Sequence, residues 1–208
     1  MKKCAVLSGG EIADYSQIDV SQLKDCVIIS ADSGYYHAKA LGLKTDYLIG
    51  DFDSIDFVPK DASEVIEFPS EKDDTDTMLA IKLALNLGFE DITIVGGLGK
   101  RLDHTLANIQ SLGYIHENGS TGRIISDSER IYFIEASSIK LKRLDGYSMS
   151  VFSFSEKLVG VTLKGVKYPL DNAVVTNCFP IGVCNEITAD FAEIELKSGK
   201  MLVIQSKM

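Results

Sequence analysis

Ile92-Thr93-Ile94-Val95-Gly96-Gly97-Leu98-Gly99-Lys100-Arg101-Leu102-Asp103-His104 passes from an apolar, β-branched run, through glycines, into a charged segment. The apolar run predicts a strand. Leu102, Leu106 and Ile109, at helical spacing, predict an amphipathic helix with those three residues on its apolar face. A strand, a glycine turn and a helix in succession make a βα unit, the building block of a mainly parallel sheet. Working outward, the same alternation runs from the first residues to about Ile125. Strands are predicted at 4–7, 26–30, 47–49, 65–68, 92–95 and 123–125, with a largely buried helix at 75–87. In that helix the non-apolar interior positions after Thr77 are Lys82 and Asn86, four apart and therefore on one stripe.

Beyond Ser126 the texture changes. Short strands are predicted at 131–134, 149–154, 158–163, 192–196 and 201–204, separated by turn residues, with no long helix. Lys197-Ser198-Gly199-Lys200 reads as a hairpin loop joining the last two. The expected architecture is an α/β N-terminal domain with a mainly parallel sheet, residues 1–126, followed by an all-β C-terminal sandwich domain, residues 127–208; a small barrel is the other closure such strands allow.

The 208 residues carry 21 Lys and Arg against 30 Asp and Glu, a formal net charge of −9, and 45% are hydrophobic. That balance is that of a folded globular chain. A pI near 4.8 argues against nucleic acid as a partner, because duplex binding needs many cations to neutralise phosphates. It leaves room for a local basic site for one small phosphate ligand. Apolar runs fall far short of the roughly 18 residues that span a bilayer, so no membrane association is expected. The run 4–7 after Met1-Lys2-Lys3 is too short for the core of a signal peptide, which points to a cytoplasmic protein. Cys4, Cys26, Cys178 and Cys184 show no CxxC spacing and read as free thiols in mostly apolar surroundings. Of the three histidines, His104 alone sits in a dense polar motif.

Three acidic clusters follow predicted strands. Gly50-Asp51-Phe52-Asp53-Ser54 follows the strand at 47–49, Asp32 follows that at 26–30, and Lys72-Asp73-Asp74-Thr75-Asp76 follows that at 65–68 and opens the buried helix. Ligands of open α/β sheets lie beyond the carboxyl ends of strands. In an extended segment Asp51 and Asp53 would face one side and could converge on a hard cation such as Mg²⁺, with Phe52 turned into the core. The competing readings are turn formation for the first cluster and helix capping for the third. Carboxylates from three loops along one edge repel unless a cation neutralises them. Residues 96–99 supply a flexible loop ahead of a helix N-terminus, with Arg101, His104 and Asn108 on one helix face, an arrangement suited to an anion. A simple tight turn is the alternative. Neither the dinucleotide fingerprint nor the Walker A loop fits, since Leu102 stands where the former needs glycine, and Ile94 and Arg101 break the latter.

Taken in order, ADSG at 31–34, GDFDS at 50–54, EKDDTDT at 71–77 and GGLGKRLDHTLAN at 96–108 resemble the thiamine pyrophosphokinase family. In the second half the resemblance rests on Lys167-Tyr168-Pro169-Leu170 and Gly182-Val183-Cys184-Asn185-Glu186, with Cys184 where the family usually has Ser. The resemblance implies a homodimer with thiamine sites between subunits, and transfer of pyrophosphate from ATP to thiamine with Mg²⁺ as cofactor. It also implies Asp51 and Asp53, joined by Asp73 or Asp76, as metal ligands, with Asp32 sharing the metal or orienting the nucleophile. Arg101 and Lys72 would neutralise phosphate oxygens cradled by Gly96, Gly97 and Gly99. Asp103 would fix Arg101 or a ligand hydroxyl, His104 would meet phosphate or a neighbouring residue, and Asn108 would bond loop backbone or nucleotide. Asn185 is the expected thiamine contact, with Cys184 beside it. The competing functions are a diphosphokinase for another small alcohol, such as a hydroxymethylpterin, and a non-catalytic nucleotide-binding regulator.

Overall fold

The computed structural model describes residues 1–208 except 53–58, 60, 61, 70, 72 and 100. The chain divides into two compact units, Met1–Asp127 and Ser128–Met208. In the first, β1 (Lys3–Leu7), β2 (Val27–Ala31), β3 (Tyr47–Gly50), β4 (Glu64–Glu67), β5 (Asp91–Val95) and β6 (Thr121–Ile125) lie in the order β4-β3-β2-β1-β5-β6. Every pairing among these six is parallel. Burial on both faces explains why β1, β2 and β5 are apolar almost throughout. The α-helices described are α1 (Gly34–Ala40), α2 (Asp76–Asn86) and α3 (Leu102–Glu117). Thr75 starts α2 by accepting a hydrogen bond from the Met78 N–H at 3.2 Å.

α3 does not bury the face that its leucine spacing predicts. Leu102 is 69% exposed and Leu106 is also exposed, while Asn108, Ser111, Leu112 and Ile115 are buried. The reason lies on β6: a Cβ on Gly122 would sit 3.1 Å from Leu112 and 3.0 Å from Ile115, so the missing side chain makes the recess into which those two residues fit.

The second unit is a sandwich. β7 (Glu129–Glu135), β13 (Lys200–Lys207) and β9 (Tyr147–Ser153) are antiparallel neighbours in that order. Opposite them stand β11 (Leu170–Thr176), β10 (Lys157–Lys164), β12 (Phe191–Glu195) and β8 (Ser138–Lys142), also antiparallel. Met149, Val151, Met201 and Val203 from one sheet share a core with Leu158, Val161, Leu163 and Ile194 from the other. β8 and β11 escape the sequence pattern because their alternation is short and mixed with polar residues. The predicted 197–200 hairpin is corrected: β12 and β13 belong to different sheets, and the loop carries the chain between them. There the Lys197 and Ser198 N–H groups donate to the Val159 carbonyl at 3.2 and 3.1 Å.

Ile194 is fully buried in the sandwich core. Ile194→Val should cost about 0.5–1.5 kcal/mol and Ile194→Ala about 2–5 kcal/mol, since the larger deletion leaves a cavity that close-packed sheets cannot collapse around. Urea unfolding followed by circular dichroism checks the order and the size of the two losses.

Candidate active site

β1 lies between β2 and β5, so the chain leaving β1 turns to one side of the sheet while β5 occupies the other. Where strand order diverges in this way, loops part and leave a crevice at the carboxyl ends. Here the two loops are also zipped to each other. The Ser8 N–H donates to the Val95 carbonyl at 2.8 Å, Gly10 to Gly96 at 2.8 Å, and Glu11 to Leu98 at 3.0 Å. A Cβ on Gly10 would lie 2.3 Å from the Gly96 and Leu98 oxygens, which excludes any side chain. Gly96 has φ +69°, the left-handed region.

A cavity of about 620 Å³ opens over these loops. It is lined by Gly9, Gly10, Gly97 and Gly99, by Asp32 after β2, by Thr75, Asp76 and Thr77 at the start of α2, and by Arg101, His104 and Asn108 of α3 and its approach. Asp32 is 8% exposed and has φ +47°, a conformation that Asp adopts more readily than most residues. Its N–H donates to the Ile49 carbonyl at 2.6 Å, which ties the end of β2 to β3. The hydroxyls of Ser8 and Thr77 lie 2.7 Å apart and join the β1 loop to α2. Asn108 donates from Nδ2 to the Gly97 carbonyl at 2.7 Å, holding the glycine loop against α3. Asp103 grips Arg101 with two bonds, from Nη2 at 2.6 Å and Nε at 3.2 Å, and accepts the His104 N–H at 2.9 Å. The guanidinium is thereby oriented at the cavity rim. The cavity therefore sets three carboxylates, Glu11, Asp32 and Asp76, against loop backbone, a helix N-terminus and an arginine, a surface able to hold a phosphate chain together with a cation.

The other predicted site residues are placed differently. Asp53 and Lys72 lie outside the described residues. Asp51 follows β3, half-buried, but does not line the cavity. The extended geometry expected for the 51–53 segment is corrected at Phe52, whose φ is +60°. Its ring packs with Tyr35 and Leu48, the inward direction expected for it. Asp73 is exposed and off the cavity, and Asp74 pairs with Lys82 at 2.6 Å. Gly96 packs behind the lining, its Cα facing Ser8 and His37. Among the described residues no group of three or more His, Cys, Asp and Glu side chains is arranged to hold a metal. His37, set aside in the sequence, lines the cavity. No spacing signal links it to either glycine loop, because only the packing of α1 brings it there.

In the second unit Asn185 is 1% exposed. Its Oδ1 accepts the N–H groups of Tyr168 and Glu186, both at 2.9 Å, and its Nδ2 donates to the Tyr168 carbonyl at 2.8 Å. The amide of Asn185, the residue expected to contact thiamine, thus clamps the backbone of Tyr168, which is 60% exposed. Lys167 and Glu186 flank the clamp with a 2.8 Å ion pair. Cys184 is exposed with φ +56°, and its N–H donates to the Ser150 hydroxyl at 3.1 Å. Cys178 is exposed as well, so two of the four thiols do not have the apolar surroundings expected of them; all four are free.

Residues 21–121 match the family described as Thiamin pyrophosphokinase, catalytic domain, and residues 137–201 match Thiamin pyrophosphokinase, vitamin B1 binding domain. The chain is 29% identical over 184 residues to a thiamine pyrophosphokinase of Bacillus subtilis, covering 86% of each sequence. The crystal structure of a thiamine pyrophosphokinase from Bacillus subtilis superposes with a TM-score of 0.87 at 26% identity, covering 100% of both chains. That of a thiamin pyrophosphokinase family protein from Enterococcus faecalis gives 0.86 at 28%, again over 100% of both.

The bonds from Arg101, and then that from the His104 N–H, hold the Asp103 carboxyl down to about 2 against an ordinary 3.8. A lowered carboxyl pKa stabilises the fold above the unfolded value, and that contribution is lost as pH falls through about 2. In Arg101→Ala the Asp103 titration, followed by NMR, should move back up toward the ordinary value. An unmoved midpoint would mean that the arginine does not hold this carboxylate in solution.

Proposed function

Because the chain belongs to the thiamin pyrophosphokinase family, it transfers pyrophosphate from ATP to thiamine, and we propose that the transfer takes place in the cavity over the β1 and β5 loops. The observation that carries this reading is the meeting in one cavity of Asp32 and Asp76 with two zipped glycine loops and Arg101. A regulator that only bound nucleotide would need the loops but not the carboxylates. The thiamine hydroxyl oxygen attacks the β-phosphorus of ATP, and its proton is released to water. The bond from that phosphorus to the oxygen bridging to the α-phosphorus breaks, and AMP leaves with the bridging oxygen. The product is thiamine diphosphate. Phosphoryl chemistry of this kind depends on alignment and on charge neutralisation. The N–H groups of the loops and the start of α3 receive phosphate oxygens. Arg101, held by Asp103, and His104 meet the charge on the transferring group, and Asn108 keeps the Gly97 loop in place.

The donor set fits Mg²⁺, since carboxylates and hydroxyls are hard oxygen ligands, and Mg²⁺ is typically held by one or two carboxylates plus substrate phosphates and water. Asp32 and Asp76, which line the cavity, would hold it; Asp51 and Asp53 join them in this proposal on their sequence positions alone. Bound there, the ion would neutralise charge on the phosphate oxygens.

The homodimer belongs to the same proposal, supported by Leu102 and Leu106, exposed four residues apart on α3. So does a cytoplasmic location, supported by four free thiols. No described helix is long and apolar enough to cross a membrane. In the second unit we assign the ring of Tyr168, presented by the Asn185 clamp, to the flat, cationic thiamine.

AMP release measured with and without thiamine tests the activity: release should require thiamine. A pterin alcohol supporting equal release would favour the other diphosphokinase. Asp76→Asn should lower turnover by about 10² or more at saturating ATP, since charge stabilisation of the transition state is lost. It should leave stability within about 1 kcal/mol, the scale of a charge at a helix N-terminus. Turnover near wild type at limiting Mg²⁺ would remove Asp76 from the metal site.

Tyr168→Ala should raise the thiamine KM by about 2- to 30-fold, the range of a cation–π contact, with the ATP KM unchanged. Asn185→Ala should move the same constant by releasing the Tyr168 backbone. An unchanged thiamine KM in both variants would place the substrate elsewhere.

A further inference from the structure

His37 belongs to neither glycine loop, yet it touches both. On α1, its Nε2 lies 2.8 Å from the Gly10 carbonyl oxygen, and its Nδ1 lies 2.8 Å from the Tyr15 hydroxyl. A carbonyl only accepts, so Nε2 carries the proton, and a neutral ring then accepts the Tyr15 O–H at Nδ1. The Cδ2–Nε2 edge of the ring also packs on the β5 loop: a Cβ on Gly96 would meet Cδ2 at 3.0 Å and Nε2 at 3.3 Å. The peptide whose carbonyl His37 holds belongs to Gly10, whose own N–H donates to Gly96. The imidazole thus closes a triangle of α1, the β1 loop and the β5 loop at the wall of the cavity. Tyr15 fixes the ring from behind, with ring centroids 5.8 Å apart.

We propose that His37 is a positioning residue for the polyphosphate: by tethering the Gly10 carbonyl it fixes how the two glycine loops present their N–H groups to the nucleotide. Burial lowers the His37 pKa below the ordinary histidine range, in keeping with a neutral ring at this place. A carbonyl left unbonded beside an anion site would repel phosphate, so the His37 donor on the Gly10 carbonyl also offsets an unfavourable dipole at the cavity wall. The inference rests on the reading that this cavity binds ATP, and the experiment separates the two.

Binding of α,β-methylene ATP with Mg²⁺, whose α–β linkage cannot be cleaved, is measured by calorimetry on the full chain. His37→Leu removes the donor and leaves the Gly10 carbonyl without it. His37→Gln places an amide N–H near the position of Nε2, whereas His37→Asn is too short to reach it. His37→Leu and His37→Asn should weaken analogue binding by about 10-fold or more, the scale of one lost hydrogen bond plus loop misplacement, while His37→Gln stays within about 3-fold. The ATP KM should rise in step and the thiamine KM should not move, a split that a general loss of stability would not produce. If His37→Leu does not fold, the Gln and Asn pair decides. A folded Leu or Asn variant that binds the analogue as tightly as wild type, or Gln and Asn variants equally impaired, would overturn the positioning role alone. A wild-type protein that does not bind the analogue would overturn the ATP-site reading and this inference with it.

Discussion

Two hydrogen bonds govern the first unit, from Gly10 N–H to Gly96 and from Glu11 N–H to Leu98. They hold the loops leaving β1 and β5 side by side at the point where strand order diverges. The crevice that would otherwise open between the loops is given a fixed floor. Because the contact is backbone to backbone, it tolerates no side chain at Gly10. The surrounding contacts are arranged around that floor: Asn108 reaches Gly97 from α3, Thr77 reaches Ser8 from α2, and His37 reaches Gly10 from α1. Each of the three α-helices described in the unit thus contributes one polar side chain to the same pair of loops. A site braced from three sides can present backbone donors with little reorganisation, which is what electrostatic stabilisation of a transferring phosphoryl group requires.

The charge pattern follows from the chemistry. A protein of net charge −9 has no general attraction for ATP, so the cation that meets the phosphates has to be local. In the proposed site Arg101 supplies it, and its pair with Asp103 is exposed, so the pair adds little stability in water. Its value lies in orientation, since a two-bond fork fixes the plane of the guanidinium. Glu11, Asp32 and Asp76, lining the same cavity, carry the opposite sign. Carboxylates brought to one cavity repel one another, and in the proposed reaction a cation bound with the nucleotide would offset that repulsion.

The second unit solves a different problem. A sandwich face is built from alternating side chains and offers no helix ends, so a binding surface has to come from its loops. The Asn185 amide joins the 167–168 and 184–186 segments by imitating a strand partner, with one acceptor and one donor toward the Tyr168 backbone. The residue expected to meet thiamine is therefore buried, and the residue it places is the one presented to solvent.

Periodicity in the chain determined the elements and their kind. The apolar runs at β1, β2 and β5 announce strands buried on both faces, the alternation of the second half announces a half-buried sheet, and the glycines and acidic residues after the strands announce a site at the carboxyl edge. These are local signals, because side-chain direction repeats every two residues in a strand and every 3.6 in a helix. Partnership is not local. Which face of α3 is buried was decided by the recess at Gly122, and the sheet that β13 joins by its pairing with β7 and β9. The turning of the Asn185 amide to Tyr168, and the meeting of His37 with a loop twenty-seven residues earlier, came from the same source. Each depends on a surface supplied by a distant part of the chain, and only the folded structure brings that surface within hydrogen-bond or packing reach.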